Sequence, residues 1–235
     1  MDQQLATAQA LKYAEELREL HGKERAQRRS LERALEQLQE SYGTTVRALA
    51  AALDLRDDQT GGHAARVTRV ALRLADEVAP ELAGDPQLEF GFLLHDVGKI
   101  GVPDAILLKP GPLTAPEFER MREHTMLGEH IIAQIPYLSG LAREVVAFHH
   151  ERWDGGGYPY GLAGEKVPLA ARIFSVVDAW DAMTNDRPYR LALPFDAAVA
   201  QVTAASGTQF DPHVARAFLA LEPELRASAR RALNV

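Results

Sequence analysis

Seven histidine and aspartate residues, spread along the chain, constrain its fold more than any other feature. Residues 90–94 form an apolar run before His95, and residues 145–148 and 173–177 form similar runs before His149 and Asp178. A buried imidazole or carboxylate needs a partner that compensates its lost hydration. One such histidine alone would be read as a core or surface residue, but a series from distant segments is best compensated by cations. We therefore expect a metal site built from His63, His95, Asp96, His124, His149, His150 and Asp178.

Composition narrows the metal and the class of ligand. The chain has 235 residues and no cysteine, so metal ligands must be nitrogen and oxygen, which suit iron, manganese, zinc or magnesium more than copper(I). A net charge of -7 gives no support for binding a nucleic acid polymer, although a local basic pocket for a phosphorylated ligand stays compatible with it. The first residues lack a signal-peptide pattern, and no apolar run approaches the ~18 residues that span a bilayer. We expect a cytoplasmic protein without a membrane span.

The first 48 residues predict one long helix. They contain no proline and only two glycines, Gly22 and Gly43. Alternating steps of four and three residues form a heptad seam, which predicts a coiled coil and hence a homodimer; the alternative is packing on the chain's own domain. The division we expect is a heptad helix over 1–43 and a second domain over 44–235. The seam has a polar centre, which predicts modest stability, and it comprises Ala10, Ala14, Leu17, His21, Glu24, Arg28, Leu31, Leu35, Leu38, Tyr42, Thr45 and Leu49.

The rest of the chain predicts an all-α fold. Amphipathic segments are separated by glycine and proline, and sustained period-two runs typical of strands are nearly absent. Two stretches, 98–112 and 153–168, predict ordered loops, each just after a candidate ligand pair. Helices are predicted at about 44–57, 60–79, 86–96, 115–134, 138–150, 168–184, 195–205 and 211–220.

The motifs around the candidate ligands resemble those of a known family. His95-Asp96 lies in the sequence LLHDVGKIG, and residues 149–159 read HHERWDGGGYP, ending in Gly157, Tyr158 and Pro159. This pattern resembles the HD-GYP family within the HD superfamily of metal-dependent phosphohydrolases, and the resemblance extends over about residues 44–220. Supporting motifs occur in order at 60–67, 99–103, His124 with Gly128, 171–173, 178–184, 187–190 and 207–212.

The resemblance implies an HD-type helical bundle and a metal-dependent hydrolase. Members hydrolyse the bacterial second messenger cyclic di-GMP, so we expect opening to linear pGpG, and whether the product is pGpG or GMP stays open. It implies that the seven residues ligate two divalent metals, that Asp96 bridges them and that a hydroxide held between them attacks phosphorus. Iron or manganese is favoured, with zinc, magnesium or nickel as alternatives. Some members place a glutamate where this chain has Gln59, a poor ligand, so we expect two metals rather than three.

The resemblance also assigns residues to substrate and partner. Lys99 is expected to act in catalysis by contacting substrate phosphate, and Arg187 and Arg190 to hold phosphate or guanine; for Arg190 a helix-end role is an equal alternative. Asp181 is a candidate for contact with substrate or a metal-bound water, or else a surface carboxylate. The loop of Gly157, Tyr158 and Pro159 is expected to contact a partner, such as a diguanylate cyclase domain, or to line the substrate entrance. Glu151 and Asp154 are candidates for orienting the histidine pair.

Three functions remain open at this point. The first is an active cyclic di-GMP phosphodiesterase, which the complete ligand set and the Gly157–Tyr158–Pro159 triplet favour. The second is a catalytically silent signalling module that binds cyclic di-GMP or a cyclase domain. The third, a general HD phosphohydrolase acting on nucleotides, explains His95-Asp96 but not residues 149–159.

Overall fold

The computed structural model describes residues 2–57, 62–186 and 191–232, and the regular elements among these residues are helices, with no strand. Two isolated β-bridges, Asp154 with Ala163 and Ser206 with Phe210, are the extended pairings in this described part. The predicted all-α fold with a long N-terminal helix is therefore confirmed. The helices are α1 Asp2–Asp57, α2 His63–Val78, α3 Pro80–Ala83, α4 Pro86–Leu94, α5 Asp104–Leu107, α6 Ala115–Arg122, α7 His124–Ile132, α8 Leu141–Phe148, α9 Leu169–Thr184, α10 Phe195–Ala205, α11 Pro212–Ala220 and α12 Glu222–Ala232, with 3-10 turns at Val97–Gly101 and Gly164–Lys166.

Helix α1 runs without a break through the whole predicted heptad region. Its seam leucines are exposed in the single chain: Leu31 by 71%, Leu35 by 54% and Leu38 by 53%. The chain forms two compact units, Met1–Thr45 and Val46–Val235, and the domain boundary placed after residue 43 stays a prediction. Across the described helices, none is both long and apolar enough to cross a membrane.

Helix α4 is apolar over most of its surface, and every residue from 88 to 94 except Glu89 is buried. Such a helix is stable only when it is covered all round. Leu88 and Phe92 pack into one buried cluster, where the Phe92 ring stacks on Phe174 of α9 with centroids 5.2 Å apart. Phe90 and Leu93 pack into a second cluster with residues of α7 and α8. The C-terminal end of α4 consequently delivers the next residues of the chain, the candidate ligands, into the protein interior.

The helix predicted over 115–134 is divided in the structure. Helix α6 ends at Arg122 and α7 begins at His124. The Nδ1 atom of His124 lies 2.7 Å from the carbonyl oxygen of Met121, and the Thr125 hydroxyl donates to the carbonyl of Arg122 at 3.1 Å. Side-chain donors on these carbonyls compete with the helical backbone pattern. The prediction of one continuous helix was wrong because these side-chain hydrogen bonds interrupt it. His124, at the start of α7, is buried.

The 3-10 turn at 97–101 packs against α7 through a contact that only glycine allows. A Cβ atom on Gly98 would lie 1.8 Å from the carbonyl oxygen of His124 and 2.5 Å from the backbone nitrogen of Gly128. Helix α7 cannot yield at this point without moving His124, which is buried. The region predicted as a loop over 98–112 is thus partly regular, with this turn followed by α5.

We expect Gly98→Ala to destabilise the protein by roughly 1–3 kcal/mol or more, because the methyl group forces two backbones apart. Thermal unfolding of wild type and variant would measure the loss. Gly84→Ala is the matched control, since its Cβ would meet nothing within 4 Å. Equal melting temperatures for wild type and Gly98→Ala would contradict the close packing of the turn on α7.

Candidate metal centre

The seven predicted ligand residues come together in two groups. His124, His149 and His150 join Asp96 in the first group, and His63, His95 and Asp178 form the second. Within each group, one nitrogen or carboxylate oxygen from every residue lies within 4.8 Å of the others. The residues come from α2, α7 and α9 and from the positions that follow α4 and α8, so the helical bundle brings together segments that are distant in sequence.

The Asp96 carboxylate faces both groups. Its Oδ1 atom lies 3.3 Å from Nε2 of His124 and 3.8 Å from Nε2 of His149. Its Oδ2 atom lies 3.1 Å from Nε2 of His95 and 2.7 Å from Nζ of Lys99. A carboxylate with one oxygen toward each group is the arrangement needed to hold two cations close together.

Backbone carbonyls orient three of the histidine rings. In His95, His124 and His149, Nδ1 lies 2.9, 2.7 and 3.1 Å from the carbonyl oxygen three residues earlier. A carbonyl oxygen only accepts, so Nδ1 carries the hydrogen and donates it. When the ring is neutral, Nε2 then presents its lone pair to the site, as a metal-binding imidazole requires.

His63 is oriented by a carboxylate instead. Its Nδ1 atom lies 2.7 Å from Oδ2 of Asp181, and its Nε2 atom lies 3.5 Å from Oδ1 of Asp178. Arg66 binds both Asp181 oxygens, at 3.1 and 3.2 Å, and the Asn185 amide donates to Oδ1 at 2.9 Å. Asp181 therefore contacts protein groups through both oxygens, and its role as a substrate contact stays a prediction. Arg66 was missed from sequence, although its position one turn after His63 matches that of Asp181 after Asp178.

Burial and charge set the protonation of the first group. Burial lowers the pKa of His149 well below its ordinary value, and the neighbouring His150 lowers it further. Burial likewise lowers the pKa of His150 to about 3, with a further contribution from His124. Burial also lowers the pKa of His124. All three imidazoles are thus neutral at pH 7, which is the form that ligates a metal.

Asp96 and His95, by contrast, are held in their charged forms because they face each other. Burial raises the pKa of Asp96, but Lys99 and His95 outweigh it and hold this pKa well below the usual range. Burial lowers the pKa of His95, but the Asp96 carboxylate, with a smaller contribution from Asp178, raises it to about 9. Without a cation, a proton on His95 partly balances the buried carboxylate.

The donor set fits divalent cations. Nε2 of His95 and Oδ1 of Asp96 are buried and have no hydrogen-bond partner. Buried polar atoms without a hydrogen-bond partner are rare, and a role in binding an ion is one explanation for them. Neutral imidazoles and carboxylates around them suit iron, manganese or zinc.

A pocket of about 430 Å³ opens beside the first group. His149, His150 and Asp178 line it from the metal centre, and Tyr158 and Arg122 line it from outside. The Tyr158 ring stacks on His150 with centroids 4.7 Å apart, and the Arg122 guanidinium carbon lies 4.6 Å from the Tyr158 centroid. Tyr158 thus contacts the metal centre directly. Arg122, two residues before His124, was not identified from the sequence.

The loop after His150 is built by its own backbone and carboxylates. A Cβ atom on Gly157 would lie 2.4 Å from the backbone nitrogen of Arg152, so this position accepts only glycine. Glu151 accepts hydrogen bonds from the backbone N–H groups of residues 160–162 at 2.7 to 3.1 Å. Asp154 pairs with Arg152 at 2.6 Å. The structure thus places Glu151 and Asp154 in loop construction, rather than in the predicted orientation of the histidine pair.

Several predicted residues lie outside the described part of the chain. These are Arg187 and Arg190, expected to contact substrate, and Gln59, whose neutral side chain predicted two metals rather than three. Their assignments stay predictions. Lys99 is described, and its ammonium group lies in the site beside Asp96.

The sequence matches a known family and known proteins. Residues 47–214 match the HD domain family. The chain is 42% identical over 180 residues to a cyclic di-GMP phosphodiesterase of Thermotoga maritima, covering 76% of this chain and 49% of that protein. It is 36% identical over 190 residues to 3'3'-cGAMP-specific phosphodiesterase 3 of Vibrio cholerae, covering 81% of this chain and 39% of that protein.

A solved structure supports the fold. The crystal structure of a cyclic GMP-AMP-specific phosphodiesterase of V. cholerae superposes with a TM-score of 0.58 at 18% identity, covering 77% of this chain and 49% of that chain. At this identity the likeness concerns the fold alone. The chain spans about half the length, or less, of the curated relatives described above.

The raised pKa of His95 predicts that cation binding releases a proton. Because this pKa is about 9, His95 is protonated at pH 7 and must lose its proton to ligate. The apparent affinity for Mn²⁺ should therefore rise by roughly tenfold per pH unit from pH 7 to 9 and then level off. Titration calorimetry in two buffers of different ionisation enthalpy would detect the released proton. The same proton release is expected in the control His213→Gln, which changes an exposed histidine. An affinity for Mn²⁺ that does not depend on pH would contradict the raised pKa of His95.

Proposed function

The chain belongs to the HD domain family, and from this premise we propose that it is a phosphodiesterase that hydrolyses cyclic di-GMP to linear pGpG and then to GMP. The observation that carries the proposal is the Asp96 carboxylate, with one oxygen toward each ligand group. The identity to a cyclic di-GMP phosphodiesterase of T. maritima supports this choice of reaction and substrate. The complete donor set argues against a silent binding module.

The protein's own residues bind, orient and balance charge in this reaction. Two bound divalent cations would supply positive charge and an activated water. Asp96 holds the two positions together, and the neutral imidazoles of His124, His149 and His150 supply nitrogen donors. Water adds to phosphorus as the bond to the 3′-oxygen breaks; the attacking oxygen loses a proton and the 3′-oxygen takes one up, so the product carries a 5′-phosphate and a 3′-hydroxyl. The Lys99 ammonium, 2.7 Å from Asp96, is placed to neutralise charge on the substrate phosphate.

The pocket beside the first group is the proposed substrate site. Its volume of about 430 Å³ lies within the range of small-molecule pockets. Tyr158 and Arg122 line the pocket together, and the Arg122 guanidinium suits a substrate phosphate. One relative is specific for 3'3'-cGAMP, so this dinucleotide is the natural comparison substrate.

Contact with diguanylate cyclase domains through the loop of Gly157, Tyr158 and Pro159 stays a proposal. The Tyr158 ring is directed at His150. Tyr160, exposed by 55%, is an aromatic side chain next to this loop that a partner protein would reach.

The purified protein loaded with Mn²⁺ or Fe²⁺ is expected to convert cyclic di-GMP to pGpG and GMP, measured by chromatography and mass spectrometry, with 3'3'-cGAMP run in parallel. Asp96→Ala should lose metal and activity together, since removing the shared carboxylate leaves two cations repelling each other. Asp76→Ala, a change at an exposed aspartate on α2, is the matched control. An Asp96→Ala protein with full metal content would refute the bridging role, and an inactive, metal-loaded wild type would refute the function.

We further propose that α1 makes the protein a homodimer through its heptad seam. The exposed leucines at 31, 35 and 38 lie at heptad spacing on a continuous helix. Leucines left in water at this spacing are stabilised when a second copy of the helix covers them. The polar centre of the seam predicts that dimerisation depends on concentration.

Light scattering should show a dimer that dissociates on dilution, and removal of residues 1–40 should shift it to monomer. The metal centre should persist, because its first predicted ligand is His63. Leu35→Glu should weaken the dimer, whereas Gln37→Glu, off the seam, should not. A full-length protein that is monomeric at high micromolar concentration would exclude the coiled coil.

A further inference from the structure

Arg56, in the last turn of α1, forms hydrogen bonds with the segment that follows Asp96. Nη1 of Arg56 donates to the carbonyl oxygen of Lys99 at 2.9 Å, and Nη2 donates to the carbonyl oxygen of Val102 at 2.9 Å. Nη2 also lies 2.8 Å from Oδ1 of Asp104, at the start of α5. One guanidinium therefore joins three positions across the 3-10 turn, and all of them are more than forty residues away in sequence.

The segment that Arg56 binds is a short 3-10 turn, Val97–Gly101. A short 3-10 turn has poorer hydrogen-bond geometry than an α-helix, and Gly98 and Gly101 add conformational freedom within it. Backbone hydrogen bonds mark its two ends: the Lys99 amide donates to the Asp96 carbonyl at 2.9 Å, and the Val102 amide donates to the Lys99 carbonyl at 3.0 Å. The planar, forked guanidinium is suited to fix two such carbonyls at once.

The same turn of α1 contacts the element that carries His63. The Ala64 amide, next to His63 at the start of α2, donates to Oδ2 of Asp54 at 3.1 Å. Asp54 thus binds the residue after His63, a candidate ligand of the second group. Arg56 binds the backbone of Lys99, three residues after Asp96. The end of α1 therefore binds the chain at two places close to candidate ligands.

From these contacts we propose that Arg56 is a positioning residue for hydrolysis, which sets the place of Lys99 beside Asp96. The inference rests on the proposed phosphodiesterase function and adds a residue that touches neither cation nor substrate. A displacement of about 1 Å at a catalytic group can cost roughly 100-fold in rate. Since Lys99 has its ammonium 2.7 Å from Asp96, movement of the turn displaces the cationic group from the reacting phosphate.

A double-mutant cycle of Arg56→Ala and Lys99→Ala tests this route. Arg56→Ala should lower kcat/KM by roughly 10- to 100-fold while metal content stays at the wild-type level. In the Lys99→Ala background, Arg56→Ala should cause almost no further loss, because the group that it positions is absent. Arg56→Lys, which can still donate to one carbonyl, should recover part of the activity.

Arg47→Ala is the matched control on the same helix. Arg47 pairs with Glu89 of α4 at 3.2 Å, away from the 3-10 turn, and its loss should leave kcat/KM unchanged. Effects of Arg56→Ala and Lys99→Ala that simply multiply, or an Arg56→Ala enzyme within twofold of wild type, would overturn the proposal.

Hydrogen–deuterium exchange provides a measurement that does not depend on turnover. Amides of residues 97–102 and 104 should exchange at least about tenfold faster in Arg56→Ala than in Arg47→Ala, since charged hydrogen bonds to the turn are lost. Unchanged exchange in this segment would refute the role of Arg56. A wild type that does not hydrolyse cyclic di-GMP would instead refute the proposed function, and the exchange result would still decide the role of Arg56.

Discussion

A carboxylate held in the interior organises the centre of this protein. Asp96 loses hydration on burial, and its two oxygens have different compensation: Oδ2 faces Lys99 and His95, whereas Oδ1 faces His124 and His149 and has no hydrogen-bond partner. Such a group destabilises a fold unless positive charge is nearby. The surrounding helices form a scaffold that brings one ammonium group and several imidazoles to this carboxylate.

The position of the ligands at helix ends explains how the scaffold controls them. A histidine just past or at the end of a helix can donate from Nδ1 to a carbonyl of the preceding turn, as His95 and His149 do. Each ring is thereby oriented by its own helix, and its other nitrogen is directed inward. The apolar helices α4 and α8 bury these ends, and burial keeps His149 neutral and ready to ligate. One arrangement thus sets both direction and protonation.

Local patterns predicted much of the fold and of the centre. The all-α class is confirmed, and the ligand residues do converge, because polar side chains after apolar runs become buried together. Contacts between distant segments were harder to foresee. The Arg56 contacts with the Lys99 turn and the Arg122 contact with Tyr158 depend on neighbours far along the chain. No periodicity of one segment carries that information.

The sequence by itself determined which residues could ligate cations, that the ligands are nitrogen and oxygen, and that helices carry them. Those properties depend on residue type and spacing, which are local. Only the tertiary structure decided which oxygen of Asp96 faces which group, that Asp181 orients His63, and that Glu151 holds the loop after the histidine pair. These outcomes depend on distances of about 3 Å between segments whose approach is set by core packing, and packing is a property of the whole chain.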